Sequence, residues 1–121
     1  MEFYELKIWK KGHELILIIY KVTSNYPEDE KFNLTTQTRR SAVSIISLIS
    51  EAHGRYHYAD RIRVLYQARG EVVETRSHIR IGHDLKYLPD KEFQYLEKEY
   101  SGLEKGINAY IQSISKNKGT K

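Results

Sequence analysis

The sequence predicts an all-α protein with the fold of an antiparallel up-down-up-down four-helix bundle. Apolar residues recur at spacings of three and four along almost the whole chain, and no stretch alternates with a period of two for long enough to suggest a strand. Helix-breaking residues divide this pattern into four long segments joined by short connections. Helices joined in this way become antiparallel neighbours, so a bundle is the expected arrangement.

The first helix is expected from about Phe3 to Ser24. It should end before Pro27, because proline disfavours the helical conformation of the residue that precedes it. Residues at spacings of three and four define its predicted inward stripe, which consists of Leu6, Trp9, His13, Ile16 and Tyr20.

The second helix is expected to begin near Asn33, whose side chain can accept a hydrogen bond from a free backbone N–H group of the first turn. It should end at Gly54, since glycine readily takes the left-handed conformation found after many helices. Its predicted inward stripe consists of Leu34, Thr38, Ala42, Ile45, Ile49 and Ala52.

The third and fourth helices complete the predicted bundle, which covers residues 1–115 as one domain. The third should span residues 58–83, with Ile62, Leu65, Ala68, Val72, Thr75 and Ile79 facing inward. The fourth, with Pro89 at its first turn, carries the most regular stripe, namely Phe93, Leu96, Tyr100, Leu103, Ile107, Tyr110 and Ile114. Residues 116–121 are expected to form a disordered basic tail.

Composition indicates a cytoplasmic globular protein that needs no cofactor. The 121 residues include no cysteine, which excludes disulfides, thiolate nucleophiles and Cys-based zinc sites and suits a reducing compartment. The longest apolar run near the start, residues 15–19, is too short for a signal peptide or a membrane span. No membrane partner is therefore expected.

His53 and His57 are four residues apart, which is a spacing that can hold a metal ion on one helix, and Glu51 is nearby. Gly54 lies between the two histidines and is expected to end the helix, and no HExxH pattern or third ligand accompanies them. A structural turn is the favoured interpretation, and we expect no metal site.

Arg76 and His83 raise the alternative of an RNA-cleaving enzyme. In a helical bundle, an arginine can bind a phosphate while a histidine acts as general acid or base. The pair is a loose pattern that arises readily by chance in a chain with five histidines. We therefore expect no catalytic residues and no enzymatic activity, and RNA cleavage remains the least favoured alternative.

Charged residues on largely apolar helices are costly to bury unless they are paired. Glu51 has Arg40, Arg55 and Arg69 as possible partners. The predicted structural ion-pair network consists of Arg40, Glu51, Arg69 and Glu74. Three glycines within predicted helices, at positions 70, 102 and 106, destabilise a helix relative to alanine, and close contact between helices is the expected reason for them.

Some apolar residues do not fit a single inward stripe. Residues 15–19 extend most of the way around the first helix, and the second helix has apolar positions away from its main stripe. Contiguous exposed apolar patches usually mark interfaces, so we expect a homo-oligomer. The candidate interface residues are Leu17, Ile18, Val43 and Ile46.

The formal net charge of +4 permits an anionic partner such as RNA. The largest basic excess is in residues 57–88, with six Arg and Lys residues against four Asp and Glu residues. The candidate nucleic-acid-binding residues are Arg55, Arg61, Arg63, Arg80, Lys86, Lys116 and Lys118.

Five segments in order carry a resemblance to a known family: LKIWKKGHELILIIYKVT, YPEDEKFNLTTQTRRSAVSI, SEAHGR, LYQARGEVVE and DLKYLPDKEF. Together they resemble the four-helix-bundle family encoded by intervening sequences of bacterial large-subunit ribosomal RNA genes, which is related to the accessory protein of diversity-generating retroelements. The resemblance implies a ring-shaped homo-oligomer, expected to be a pentamer, without enzymatic activity. Nucleic acid is one implied partner, and a protein such as a reverse transcriptase is the alternative.

The second helix departs from this family where members usually have Pro, Asn and Gly. The chain has Ile46, Leu48 and Ala52 at these positions. Without the proline, the second helix is expected to be straighter and more continuous.

Overall fold

The computed structural model describes residues 1–117, in which four α-helices account for most of the chain. The helices are α1 (Lys7–Thr23), α2 (Leu34–Gly54), α3 (Tyr58–Asp84) and α4 (Asp90–Asn117), and short 3-10 turns at Phe3–Glu5 and Glu28–Glu30 precede α1 and α2. No strand occurs in residues 1–117. The prediction of an all-α chain with four helices is confirmed.

The helix ends differ from the expected ones by a few residues. Phe3–Glu5 form the 3-10 turn and Leu6 is extended, so α1 begins at Lys7. The last helix continues to Asn117, which makes Lys116 helical although it was predicted to belong to the tail. Residues 118–121 lie outside the described part of the chain.

The predicted caps of α2 are both wrong in detail. Asn33 precedes the helix as expected, but its side chain makes no capping hydrogen bond. The Glu30 carboxylate, from the preceding turn, accepts a hydrogen bond from the Leu34 N–H at 3.3 Å instead. Gly54 is the last helical residue and does not have a positive φ, because the chain passes directly into an extended Arg55.

Consecutive helices run in opposite directions. The Trp9 indole N–H at the start of α1 donates to Ser50 Oγ near the end of α2 at 3.0 Å, whereas Arg39 near the start of α2 donates to Thr23 Oγ1 at the end of α1 at 2.8 Å. Three residues join α2 to α3 and five join α3 to α4, so these pairs are antiparallel as well. Because α1 also packs against α4, the four helices close into an up-down-up-down bundle.

The core lies between the four helices and matches the predicted stripes of α2, α3 and α4 closely. Only the first residue of the α2 and α3 stripes, Leu34 and Ile62, and Tyr110 of the α4 stripe are partly exposed. The largest fully buried side chains are apolar except for the hydroxyl of Tyr100; they are Tyr100, Leu15, Ile19, Ile45, Ile49, Leu65, Ile79, Leu88, Leu96, Ile107 and Ile111.

The stripe predicted for α1 is partly wrong. Its buried residues are Gly12, Leu15, Ile16, Ile19 and Thr23, while His13 is exposed and Tyr20 is 44% exposed. The guanidinium of Arg39 lies 4.5 Å from the centre of the Tyr20 ring, on the surface between α1 and α2. The helix is rotated from the expected orientation because Gly12 faces α2.

Three glycines allow close contact inside the subunit. An ideal Cβ atom on Gly12 would lie within 3.0 Å of Ile46 Cγ2, and one on Gly82 would lie within 3.0 Å of the Tyr26 hydroxyl oxygen. Gly106 approaches Ile8, where a Cβ atom would lie 3.2 Å from Ile8 Cγ2. The close contact expected for Gly106 is therefore present.

Gly70 and Gly102 behave differently. A Cβ atom on either residue would have no atom of another part of the described chain within 4 Å. The expectation that each glycine is needed for close packing inside the subunit is therefore wrong for these two positions.

Candidate functional site

The turn between α2 and α3 does not bring its two histidines together as a metal site. His53 belongs to the last turn of α2, and its Nε2 atom lies 2.7 Å from the Met1 carbonyl oxygen. His57 precedes α3 in an extended conformation, and its ring packs edge-on against Tyr56. Among residues 1–117, no group of three or more His, Cys, Asp and Glu side chains is arranged to hold a metal ion.

Three of the candidate nucleic-acid-binding arginines lie close together at this turn. Arg61 Nε donates to the Arg55 carbonyl oxygen at 2.6 Å, and its guanidinium lies 5.7 Å from the centre of the Tyr58 ring. Arg55 and Arg63 are exposed and make only loose ion pairs. Arg55 lies 3.3 Å from Glu51, and Arg63 lies 3.9 Å from Asp60. Both guanidinium groups are therefore open to solvent on most of their donors.

The remaining candidate cations divide between the two ends of the bundle. Lys116, in the last turn of α4, is at the same end as the α2–α3 turn because α4 runs antiparallel to α3. Arg80 and Lys86 are at the opposite end, and 25 residues separate Lys86 from Arg61, which corresponds to roughly 37 Å along a helix. Lys118 lies outside the described residues. The candidates thus do not form a single patch within one subunit.

The Tyr110 side chain connects α4 to the basic turn electrostatically. Burial raises the pKa of the Tyr110 hydroxyl, and the positive charge of Arg61 lowers it in part. The end of α4 lies beside the start of α3 because these two helices are antiparallel and in contact. We call the surface formed by Arg55, Arg61, Arg63 and Lys116 the basic end.

Arg76 is held between two acidic side chains of α4. Its Nε and Nη2 atoms donate to Glu97 Oε1 at 2.9 and 2.5 Å, and Nη1 donates to Glu104 Oε1 at 2.7 Å. The hydrogen bonds to Glu97, followed by those to Glu104, raise the pKa of the guanidinium. Its donors are directed at these carboxylates, which leaves this arginine poorly placed to bind a phosphate.

His83 is likewise engaged with its neighbours. Its ring stacks on Phe93 with 4.2 Å between the ring centres, and its Nε2 atom is hydrogen-bonded to Asp90. The Nδ1 atom lies 3.5 Å from Asp84. Two full turns of α3 separate His83 from Arg76, and each side chain contacts α4 separately.

The polar residues between α2 and α3 form a second cluster. Arg40 pairs closely with Glu74 and lies 3.9 Å from Glu71 Oε1. His78 Nδ1 lies 3.3 Å from Ser41 Oγ, and its Nε2 atom is 4.0 Å from Glu74. Burial lowers the pKa of His78, so the imidazole is neutral at physiological pH.

The predicted ion-pair network is therefore only partly assembled. Arg40 and Glu74 meet, but Glu51 pairs with Arg55, and Arg69 donates to Asn108 Oδ1 of α4 at 2.8 Å. Eleven residues, roughly 16 Å of helix, separate Glu51 from Arg40 on α2, and Arg69 lies on the side of α3 that faces α4. These distances, rather than any lack of charge, prevent a single network.

Three acids that hold the helices together were missed from the sequence: Glu97, Glu99 and Glu104. One signal was available, since Arg69 and Arg76 are seven residues apart and so are Glu97 and Glu104. Repeats of seven on two antiparallel helices can place charges on facing surfaces. The pairing depends on the register of α3 relative to α4, and the spacing of charges within one helix does not reveal that register.

The four predicted interface residues are not equivalent. Leu17 is 60% exposed and Val43 is 37% exposed, so both remain on the surface of the subunit. Ile18 and Ile46 are partly buried against the core, and Ile46 packs opposite Gly12. Ile46 is therefore used mainly inside the subunit, because α1 approaches α2 closely at this point.

No helix in the described part of the chain is long and apolar enough to cross a membrane. The fold and the cross-helix pairs define a class of protein: a small antiparallel four-helix bundle in which most polar groups between helices have internal partners. The chain belongs to the family of 23S rRNA-intervening sequence proteins, whose family model matches residues 4–109.

A solved structure supports the same assignment. The chain is similar to a protein with unknown function from the S23 ribosomal protein family of Bacteroides thetaiotaomicron, with 25% sequence identity and a TM-score of 0.77. The alignment covers 86% of this chain and 97% of the other one. No curated protein matches the chain significantly.

Proposed function

We propose that the protein is a non-enzymatic, homo-oligomeric bundle of the cytoplasm that binds RNA or another nucleic acid through its basic end. The observation that carries this proposal is the placement of Arg55, Arg61, Arg63 and Lys116 at one end of the subunit. Arg55 and Arg63 make only loose, exposed ion pairs, at 3.3 and 3.9 Å. Such guanidinium groups can exchange a weakly held carboxylate for a phosphate at little cost.

Two further points support this choice over catalysis. Arg76, the arginine of the alternative RNA-cleaving pair, is hydrogen-bonded to Glu97 and Glu104. The description of the family refers to intervening sequences of 23S rRNA, which links its members to a ribosomal RNA gene. Because each basic end carries few cations, a ring of subunits, for which the family resemblance suggests a pentamer, would raise affinity through multivalency.

The test is RNA binding as a function of salt. Fluorescence anisotropy with a labelled, structured RNA should show affinity that falls as salt rises, since phosphate contacts release counterions. The double variant Arg55→Gln/Arg63→Gln keeps Arg61, whose bond to the Arg55 carbonyl supports the turn. We expect it to bind more weakly and with a shallower salt dependence than the wild type.

The matched control is the double variant Arg80→Gln/Lys86→Gln, which removes the same charge from the opposite end. It should bind RNA like the wild type. Equal losses in both variants would show a nonspecific effect of net charge, and an absence of binding at low salt would refute the proposal. An RNA cleaved by wild-type protein but left intact by His83→Ala would favour the enzymatic alternative.

The second candidate function is that of an adaptor that binds a partner protein such as a polymerase. Phe32, in the connection between α1 and α2, favours it because 82% of the side chain is exposed. Exposed aromatic rings are common anchors in protein interfaces. A pull-down from the native host that retains the same protein after nuclease treatment, and loses it with Phe32→Ser, would support this function.

A further inference from the structure

Two glycines in the interior of helices have no explanation inside the subunit. Glycine weakens a helix relative to alanine, and Gly12, Gly82 and Gly106 are compensated by close contacts with Ile46, Tyr26 and Ile8. Gly70 of α3 and Gly102 of α4 face open space instead. If close contact accounts for them too, the contacting atoms come from another molecule.

Gly70 lies in a groove of about 670 Å³ between α2 and α3. The groove is lined by Ser44, Ser47, Leu48, Gln67, Gly70, Glu71 and Glu74. Serines and glycine make it shallow enough for a helix to approach, and its two charged lining residues are both acids. It is therefore an acidic surface with room for side chains from outside.

The negative charge of this groove is incompletely neutralised. Arg40 pairs closely with Glu74 and reaches Glu71 only at 3.9 Å. Glu71 Oε1 is buried without a hydrogen-bond partner among the described residues. Burial and the charge of Glu74 together raise the pKa of the Glu71 carboxyl, and the Arg40 guanidinium only partly offsets them.

Gly102 lies beside a groove between α1 and α4 whose charged lining residues are Lys7, Lys11 and Glu99, so this surface has an excess of positive charge although Lys11 is paired with Glu99. Lys98 and Lys105 precede and follow Gly102 by four and three residues, so all three share the outer side of α4. Both lysines are exposed. The absence of a side chain on Gly102 leaves a gap between them through which another backbone can approach.

The two surfaces lie on different sides of the subunit. Because α1 contacts α2 and α4, the α2–α3 side of the bundle is opposite the α4–α1 side. A subunit can therefore use both surfaces at once, each with a different neighbour. Contacts of this head-to-tail kind form closed rings when the rotation between neighbours permits closure.

We propose that a second copy of this chain docks the Lys98–Lys105 surface of its α4 in the α2–α3 groove, where Gly70 and Gly102 allow close approach. The lysines of one copy then face Glu71 and Glu74 of the next. A second copy is the occupant because the chain itself carries both halves of this charge complementarity. The inference rests on the homo-oligomer proposed above and specifies which surfaces build it.

Charge reversal tests the arrangement. The variants Lys98→Glu/Lys105→Glu and Glu71→Lys each place like charges in contact, so each alone should associate about tenfold or more weakly than the wild type, as measured by light scattering and native mass. Mixing the two variants should restore association between unlike copies, because each mixed contact again pairs opposite charges. In a ring with an odd number of subunits at least one contact still joins two copies of the same variant, so ring closure should recover only in part. Circular dichroism shows whether each variant is folded.

Alanine substitutions provide a test that misfolding cannot imitate. Gly70→Ala and Gly102→Ala have room for the new methyl group inside the subunit, so each should raise the melting temperature of the dissociated subunit by a few degrees while weakening association. Gly54→Ala is the matched control, because its Cβ position is equally open but lies at the end of α2, outside both surfaces. It should leave association unchanged.

The outcomes separate this inference from the function on which it rests. A wild-type protein that is monomeric at micromolar concentration would overturn the homo-oligomer and the docking arrangement together. An oligomer that survives every charge reversal and both alanine substitutions would overturn the docking arrangement alone. Binding of RNA by the basic end is measured separately and is unaffected by that second result.

Discussion

Replacing Gly12 with alanine tests how tightly α1 is fitted against α2. The new Cβ atom would lie within 3.0 Å of Ile46 Cγ2, a distance that carbon atoms do not adopt without movement. Ile46 is branched at Cβ and stiff at χ1, and it is partly buried against the core, so it cannot rotate away freely. The helices would have to separate, or Ile46 would have to take an unfavourable rotamer.

The magnitude follows from two opposing terms. Alanine is favoured over glycine in a helix by about 1 kcal/mol. Overpacking of a well-packed core costs about 1–3 kcal/mol, and the upper half of that range applies because the overlapping group is stiff. The expected net effect is a destabilisation of about 1–2 kcal/mol, which lowers the melting temperature by roughly 3–10 °C.

Urea unfolding monitored by circular dichroism measures the effect, and a double-mutant cycle with Ile46→Ala isolates its cause. Ile46→Ala alone destabilises the bundle by removing buried methyl groups, but adding Gly12→Ala to it should cost nothing further. A Gly12→Ala variant as stable as the wild type would refute the reasoning. An equal loss in the presence and absence of Ile46 would do the same.

Three other predictions concern polar groups between the helices. Arg76→Met leaves two carboxylates without their cation, so it should destabilise the fold. The expected loss in the free energy of unfolding is about 1–2 kcal/mol, because the ion pairs are partly exposed to solvent. Urea unfolding measures it. Tyr100→Phe should stabilise by up to about 1 kcal/mol in the same assay, since the buried hydroxyl has no hydrogen-bond partner among the described residues. Burial lowers the pKa of His78 in the folded protein below the ordinary 6.5. The neutral ring therefore stabilises the fold fully above pH 6.5, and this stability is lost as the pH falls through the pKa of the folded state. Unfolding midpoints measured between about pH 7.5 and pH 5.5 should therefore fall less steeply in His78→Gln.

The inward stripes of α2, α3 and α4 could be predicted from the sequence because each is long and strictly periodic. The orientation of α1 could not, because Gly12 has no side chain and carries no weight in a hydrophobic pattern. Its importance depends on Ile46, a residue 34 positions away. A close contact between helices is a property of the pair, and a pattern within one helix does not reveal it.

The same limit applies to the charged residues. The sequence identifies Arg40 and Glu74 as charges that need partners. The partners of Arg69 and Arg76 depend on the register of α3 against α4, which the sequence does not show. The division of the basic candidates between two ends was accessible from the sequence, since Arg61 lies in the first turn of a helix of roughly 40 Å and Lys86 follows its end. The capping hydrogen bond predicted for Asn33 does not form, because the Glu30 carboxylate accepts a hydrogen bond from the Leu34 N–H at the start of α2 instead.

The three-residue connection between α2 and α3 has a consequence for how the chain folds. A short loop costs little entropy to close, and α2 and α3 share the most extensive contact of any pair of helices. We therefore expect this hairpin to form first and the more distant α1, which must reach α4 across the whole chain, to join last. The contact between Gly12 and α2 then forms after the transition state for folding. Gly12→Ala should therefore accelerate unfolding and leave the refolding rate almost unchanged.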